Sequence, residues 1–139
     1  MTSRTNILTF GTFDLFHYGH LKILQRAKSL GEHLTVAVST DEACGVGGKN
    51  CIIPYSQRSA IVGGIKYVDA VVPHYHWGST SKGIEEKVTI VKRLSINTLV
   101  MGDDWEGKLD EIQHLCHIIY LPRTEGVSST QIKKSFSGE

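Results

Sequence analysis

The sequence predicts an α/β fold, a doubly wound sheet of about five parallel strands with helices on both faces. Three observations point to it. Short apolar runs alternate with stretches of helical spacing along all 139 residues. The first of these runs forms a strand–helix–strand unit, which is right-handed with parallel strands when it folds. Between its first strand and helix lies a glycine-bearing turn, Gly11-Thr12-Phe13-Asp14-Leu15-Phe16-His17-Tyr18-Gly19-His20, where such sheets bind phosphate groups.

The elements follow in order. Ile7–Phe10 is a buried strand, and Leu21–Lys28 an amphipathic helix ended by Gly31. Leu34–Ser39 is the second strand. Residues Ala43–Ile53, with Gly45, Gly47 and Gly48, read as a loop able to approach a ligand closely. Tyr55–Ile65 has helical character with Ser56 as N-cap, weakened at its end by Gly63-Gly64. Ala70–Pro73 is a third strand. Lys82–Leu94 carries apolar residues at helical spacing (Ile84, Val88, Val91, Leu94). Thr98–Met101 and Cys116–Leu121 are the fourth and fifth strands, and Ser128–Phe136 is a closing helix capped by Ser128 or Ser129. The whole forms a Rossmann-like domain, one unit over residues 1–139.

Composition narrows the function. A net charge of +1 leaves no broad electrostatic footprint for nucleic acid. No apolar run reaches membrane-spanning length. The first residues, Met1 to Asn6, lack an apolar signal core, so a cytoplasmic protein is expected. Cys44, Cys51 and Cys116 form no disulfide framework. Cys44 and Cys51 share the glycine-rich loop, where reduced thiols are the plain expectation and metal binding or oxidation the alternative.

Three motifs carry chemistry. In the first, His17 and His20 fall on one face of a helix start, where backbone N–H groups are unpaired and the dipole is positive. Gly19 lets a phosphate come close to backbone, and Thr12 and Asp14 fix the turn. The i, i+3 spacing also suits zinc, but no companion ligands are evident, so no protein metal site is expected. In the second motif, Arg123-Thr124-Glu125-Gly126-Val127-Ser128-Ser129-Thr130, an arginine and a turn precede three hydroxyls at a helix start, a second anion site. The third, Gly102-Asp103-Asp104-Trp105, follows the fourth strand at the carboxyl edge of the sheet. Its carboxylates suit ribose binding, acid–base work or metal ligation, and a solvated turn is the plain alternative.

The three blocks in this order resemble the nucleotidylyltransferase superfamily marked by His-x-Gly-His, and its cytidylyltransferase family in particular. The run Met101-Gly102-Asp103-Asp104-Trp105-Glu106-Gly107-Lys108 resembles members that act on glycerol 3-phosphate. The resemblance extends from about Ile7 to about Lys134. It implies CTP with Mg²⁺ as donor, a small phosphorylated acceptor, and a homodimer paired near Lys66-Tyr67-Val68-Asp69. It also implies that His17, His20, Lys49 and Arg123 act on the reacting phosphates. Residues Gly11, Thr12, Phe13, Asp14, Gly19, Gly102, Asp103, Asp104, Trp105, Thr124, Gly126, Val127, Ser128, Ser129 and Thr130 would line the nucleotide. Magnesium is expected to stay on phosphates and water, with Asp14 or Asp41 as weaker water-mediated contacts.

On the acceptor side the resemblance thins. A family lysine that meets the acceptor phosphate falls on Gly47, and residues after Trp77, Gly78 to Gly83 included, are inserted. Lys82 is the candidate for the family's second acceptor-binding lysine, displaced by that insertion. Arg58 and Trp77 are further acceptor contacts, with His74 and His76 beside them. Phosphocholine, phosphoethanolamine or a capsule precursor remain alternative acceptors. A non-catalytic nucleotide-binding subunit and a class I synthetase fragment are alternatives from other classes.

Overall fold

The computed structural model describes residues 4–122 and residue 132. The five strands β1 (Asn6–Gly11), β2 (His33–Ser39), β3 (Ala70–His74), β4 (Thr98–Gly102) and β5 (His117–Leu121) form one sheet in the order β3-β2-β1-β4-β5. Every pairing is parallel. The helices are α1 (Tyr18–Lys28), α2 (Asp41–Val46), α3 (Tyr55–Gly63) and α4 (Ser81–Arg93). This is the doubly wound α/β sheet expected from the alternation of elements.

Alternate side chains along the strands build two cores. Ile7, Leu34, Val36, Val38 and Val100 face one side, against Leu24 and Ala27 of α1 and Val62 of α3. Leu8, Ala37, Leu99 and Met101 face the other, against Ile90 and Val91 of α4 and Leu109 and Ile112 beyond β4. Burial on both faces explains why the strands are apolar runs rather than alternating ones. The chain therefore leaves β1 toward one face and β3 toward the other. The crevice between the carboxyl ends of β1 and β4 is the switch point at which such sheets bind ligands.

Four local features differ from expectation. Helix α1 ends at Lys28 with Ser29 as C-cap, so Gly31 does not terminate it. A side chain at Gly31 would crowd Ile7, with its Cβ 2.7 Å from Ile7 Cδ1. The glycine-rich loop begins as helix α2, because the Thr40 hydroxyl accepts from Ala43 N–H and Asp41 and Glu42 occupy its first turn. That helix takes Cys44 out of the loop and buries it. Finally, Ser56 does not cap α3. Pro54 is its N-cap, and the Tyr55 N–H is satisfied from a distance by the Asp41 carboxylate. The closing helix expected at Ser128–Phe136 lies outside the described residues.

Candidate active site

The turn after β1 is held by unusual backbone and by one carboxylate. Phe13 and Leu15 both adopt left-handed backbone, with φ of 56° and 48°, a conformation that costs of order 1–3 kcal/mol at a non-glycine residue. Between them Asp14 is buried, and its oxygens accept from Leu15, Ile52 and Ile53 N–H groups. Asp14 thus ties the strand-to-helix turn to the glycine-rich loop, which is more than the local turn-fixing role its position suggested. Gly11 is small for a packing reason, since a Cβ there would lie 2.6 Å from the Phe13 ring.

His17 is the N-cap of α1 and His20 its third residue, and each ring serves the other's backbone region. Gly19 N–H donates to His17 Nδ1 at 3.0 Å, and His17 N–H donates to His20 Nδ1 at 3.2 Å. An Nδ1 that accepts cannot carry a proton, so both neutral rings are Nε2–H tautomers. The rings stack with centroids 3.8 Å apart, and Phe13 and Phe16 pack on His20. Burial lowers the His17 pKa, and burial first, then His17, pushes His20 down to about 4 against the opposing pull of Asp14. The pair therefore offers neutral Nε2–H donors at neutral pH.

A cavity of about 640 Å³ opens at the carboxyl edge, within the size range of small-molecule sites. Gly11, Thr12, Phe13, Asp14 and His20 line one side, Asp104 and Trp105 another, and Lys49 and Trp77 a third. His17 reaches this wall through its stacked partner His20. Asp103 is exposed at the head of the short 3-10 turn Asp103–Trp105, and it, Gly19 and Gly102 are outside the cavity lining. The expected second anion site, Arg123, Thr124, Gly126, Val127, Ser128, Ser129 and Thr130, lies outside the described residues.

Two acceptor assignments need correction. Arg58 is fully buried and is not a ligand group. Its Nε donates to Ile53 O, its Nη1 to Thr12 O and Ser39 O, and its Nη2 pairs with Asp41 at 2.8 Å. Those bonds leave the guanidinium turned toward protein, and they occupy Asp41 as well. Lys82 is exposed on the first turn of α4, away from the cavity lining.

The cation of α4 that lines the cavity, with Lys49 and Lys108, is Lys87, about one turn beyond Lys82, which the sequence reading missed. Its side chain is 1% exposed. The ammonium lies 4.5 Å from the Phe10 ring centroid and 4.9 Å from that of Trp105, and 3.4 Å from Gly78 O. Burial pushes its pKa down to about 8, with Glu86 opposing. A signal was present: Lys87 lies three residues after Ile84 and four before Val91, a charge within the apolar stripe of a helix. Buried His74 also lines the cavity. Its ring tilts against Phe10, and its Nε2 is 3.4 Å from Glu86. Exposed His76 pairs with the same carboxylate outside the cavity.

Burial, with Lys87 adding, pushes His74 down to about 4. For His20 and His74 the folded values lie below the ordinary 6.5. Between those values the unfolded chain binds more protons, so stability rises with pH across the window. The contribution of the neutral rings is complete above pH 6.5 and is lost as pH falls through about 4. Melting followed by circular dichroism is expected to show Tm dropping from about pH 6.5, before carboxylates titrate near ~4. A Tm that stays flat down to about pH 5 contradicts the depressed values.

A switch-point cavity bounded by a histidine-capped helix start and by Lys49, Lys87 and Lys108 defines a nucleotide-binding α/β domain built for phosphate chemistry. The chain belongs to the cytidylyltransferase-like family, whose model matches residues 8–135. It is 46% identical over 132 residues to glycerol-3-phosphate cytidylyltransferase of Bacillus subtilis (strain 168), spanning 95% of this chain and 97% of that protein. It is 41% identical over 133 residues to the Staphylococcus aureus (strain NCTC 8325 / PS 47) protein of the same name, spanning 96% of each. Among solved structures, a lipopolysaccharide core biosynthesis protein from Thermoplasma volcanium GSS1 shares the fold. Its TM-score is 0.71 at 22% identity, covering 88% of this chain and 100% of that one.

Proposed function

We propose that this chain transfers CMP from CTP to glycerol 3-phosphate, giving CDP-glycerol and pyrophosphate. The observation that carries the reading is the convergence of neutral His20, Lys49 and Lys87 on one cavity at the sheet's carboxyl edge. Likeness over almost the full length to enzymes named for this reaction supplies the substrates.

The chemistry needs no general base. A phosphate monoester has its second pKa near ~6, so at neutral pH its oxygen is already a nucleophile. That oxygen forms a bond to the α-phosphorus of CTP. The bond from the α-phosphorus to the bridging oxygen breaks, and its electron pair leaves with pyrophosphate. The barrier lies in bringing two polyanions together and in bearing charge on the α-phosphate and leaving group. In this reading His17 and His20 donate Nε2–H bonds to those oxygens, Lys49 and Arg123 bear charge on the nucleotide phosphates, and Lys87 takes the acceptor phosphate. Lys87 fills the role first given to Lys82. Asp104 and Trp105 border the nucleoside.

Among the described residues no group of three His, Cys, Asp or Glu side chains is placed to hold a metal ion. In this reading magnesium comes with CTP, held by phosphates and water, and would neutralise charge there. No helix among the described residues is long and apolar enough to cross a membrane. The reading places the enzyme in the cytoplasm with its CTP supply. It includes a homodimer, which a sizing column reporting only monomer at micromolar concentration would contradict.

Replacing His17 with alanine is expected to lower kcat by about 10²-fold or more, the scale of losing one preorganised oxyanion donor. Unchanged kcat would remove His17 from the chemistry. The reading as a whole is tested by pyrophosphate release with CTP, Mg²⁺ and a panel of phosphomonoesters. Release with glycerol 3-phosphate supports it. Release only with phosphocholine or phosphoethanolamine keeps the reaction and changes the acceptor, and no release with any acceptor overturns it.

A further inference from the structure

Gly47 ends α2 with φ −78° and ψ 1°, a backbone open to any residue. Glycine is required there by space alone. A Cβ would fall inside the Trp77 indole, colliding with Cε2 and Cδ2 and lying 2.6 Å from Cζ2. The indole thus rests directly on the backbone of residue 47. Two further glycines keep the backbone around it close to its neighbours. A Cβ at Gly83, in the first turn of α4, would collide with the Trp77 carbonyl, and one at Gly78 would come 2.9 Å from Trp105 and 3.1 Å from Lys87 Nζ. The segment Trp77-Gly78 therefore bridges the end of α2 and the start of α4 at the cavity mouth. On the indole sits the Lys49 ammonium, 5.4 Å from the ring centroid.

We propose that Gly47 and Trp77 act as one acceptor-specificity unit, in which the indole seated on Gly47 positions Lys49 and closes the acceptor end of the cavity around a small phosphomonoester. This rests on the cytidylyltransferase reading above. Trp77 is a positioning residue: it holds a cation by its ring face and limits the room beside Lys87. Gly47 touches no ligand and sets specificity through the space it leaves. A larger side chain at 47 unseats the indole, releases Lys49 and opens the wall.

The test is a double-mutant cycle with Gly47→Ala and Trp77→Ala. Alanine suits the backbone at 47 better than glycine does, so harm from Gly47→Ala comes through Trp77. Each single variant is expected to raise the acceptor KM about tenfold, and, because both release Lys49 from the nucleotide phosphates, to change kcat and the KM for CTP by one smaller factor shared by the two variants. The double variant should again show about tenfold rather than about a hundredfold, because both changes remove the same contact. Additive effects, or a Gly47→Ala enzyme with wild-type acceptor KM, overturn the proposal. A second readout does not depend on turnover. With Trp105→Phe as background, Trp77 is the remaining tryptophan, and Gly47→Ala should red-shift its emission and increase its quenching by acrylamide. Unchanged emission and quenching also overturn the proposal. A wild type that turns over a different phosphomonoester overturns the glycerol 3-phosphate reading alone, and the KM of that acceptor then scores the cycle.

Discussion

Replacing Arg58 with alanine is expected to destabilise the fold by about 3–5 kcal/mol, the cost of breaking a buried, fully engaged charge network. For a domain of this size that is a fall in Tm of roughly 10–20 °C. The side chain is 0% exposed and joins four pieces of chain: Thr12 in the nucleotide turn, Ser39 at the end of β2, Asp41 opening α2, and Ile53 before α3. Truncation leaves three carbonyls without their donor and Asp41 without its cation. The Asp41 carboxyl is held below its usual range chiefly by its hydrogen bond from Arg58, so it also loses what keeps it ionised in mild acid. Lysine should rescue little, because one ammonium cannot reproduce a planar fork reaching carbonyls on several sides. Thermal melts of Arg58→Ala and Arg58→Lys check this. A Tm within about 3 °C of wild type for the alanine variant would show the network to be dispensable.

That arginine also shows where sequence reasoning stops. Its charge and its place after a flexible loop suggested a phosphate ligand, yet nothing local tells a buried clamp from a surface cation. Which carbonyls surround it depends on four segments meeting in space. Asp14 is a similar case: its position in the turn was legible, but its bonds to Ile52 and Ile53 cross 38 and 39 residues. By contrast the five strands, the placement of His17 and His20 at a helix start, and Asp104-Trp105 at the carboxyl edge follow from periodicity and local order alone. Helix α2 was hidden by its glycines, because propensity there is outweighed by the Thr40 cap and by burial of Ala43 and Cys44. On α4 the choice of Lys82 over Lys87 came from matching a family lysine across the inserted segment after Trp77. The residue that faces the cavity is the one that breaks the apolar stripe.

Lys87 carries the largest expected trade between stability and activity. Substituting methionine, similar in length and uncharged, is expected to stabilise the protein and nearly abolish turnover. The ammonium is buried against Phe10 and Trp105 and, among the described residues, donates to Gly78 O alone, at 3.4 Å. Burial brings its pKa from 10.5 to about 8, so at neutral pH the fold keeps a charge that its surroundings disfavour. Replacing it with a well-packed apolar side chain should gain about 1–3 kcal/mol. The sign with pH is fixed by linkage. Between about 8 and 10.5 the unfolded chain binds more protons at this site, so wild-type stability rises through that window and is lowest below it. The methionine gain is therefore full at neutral pH and shrinks to nothing above 10.5. Activity moves the opposite way. A desolvated cation facing a dianionic acceptor is a pairing whose truncation costs about 2–5 kcal/mol, so kcat/KM for the acceptor should fall by roughly 10³-fold. Paired measurements of Tm and of acceptor kcat/KM across pH decide the matter. A methionine variant that is both less stable and fully active would place Lys87 in the architecture and leave the acceptor phosphate to another cation.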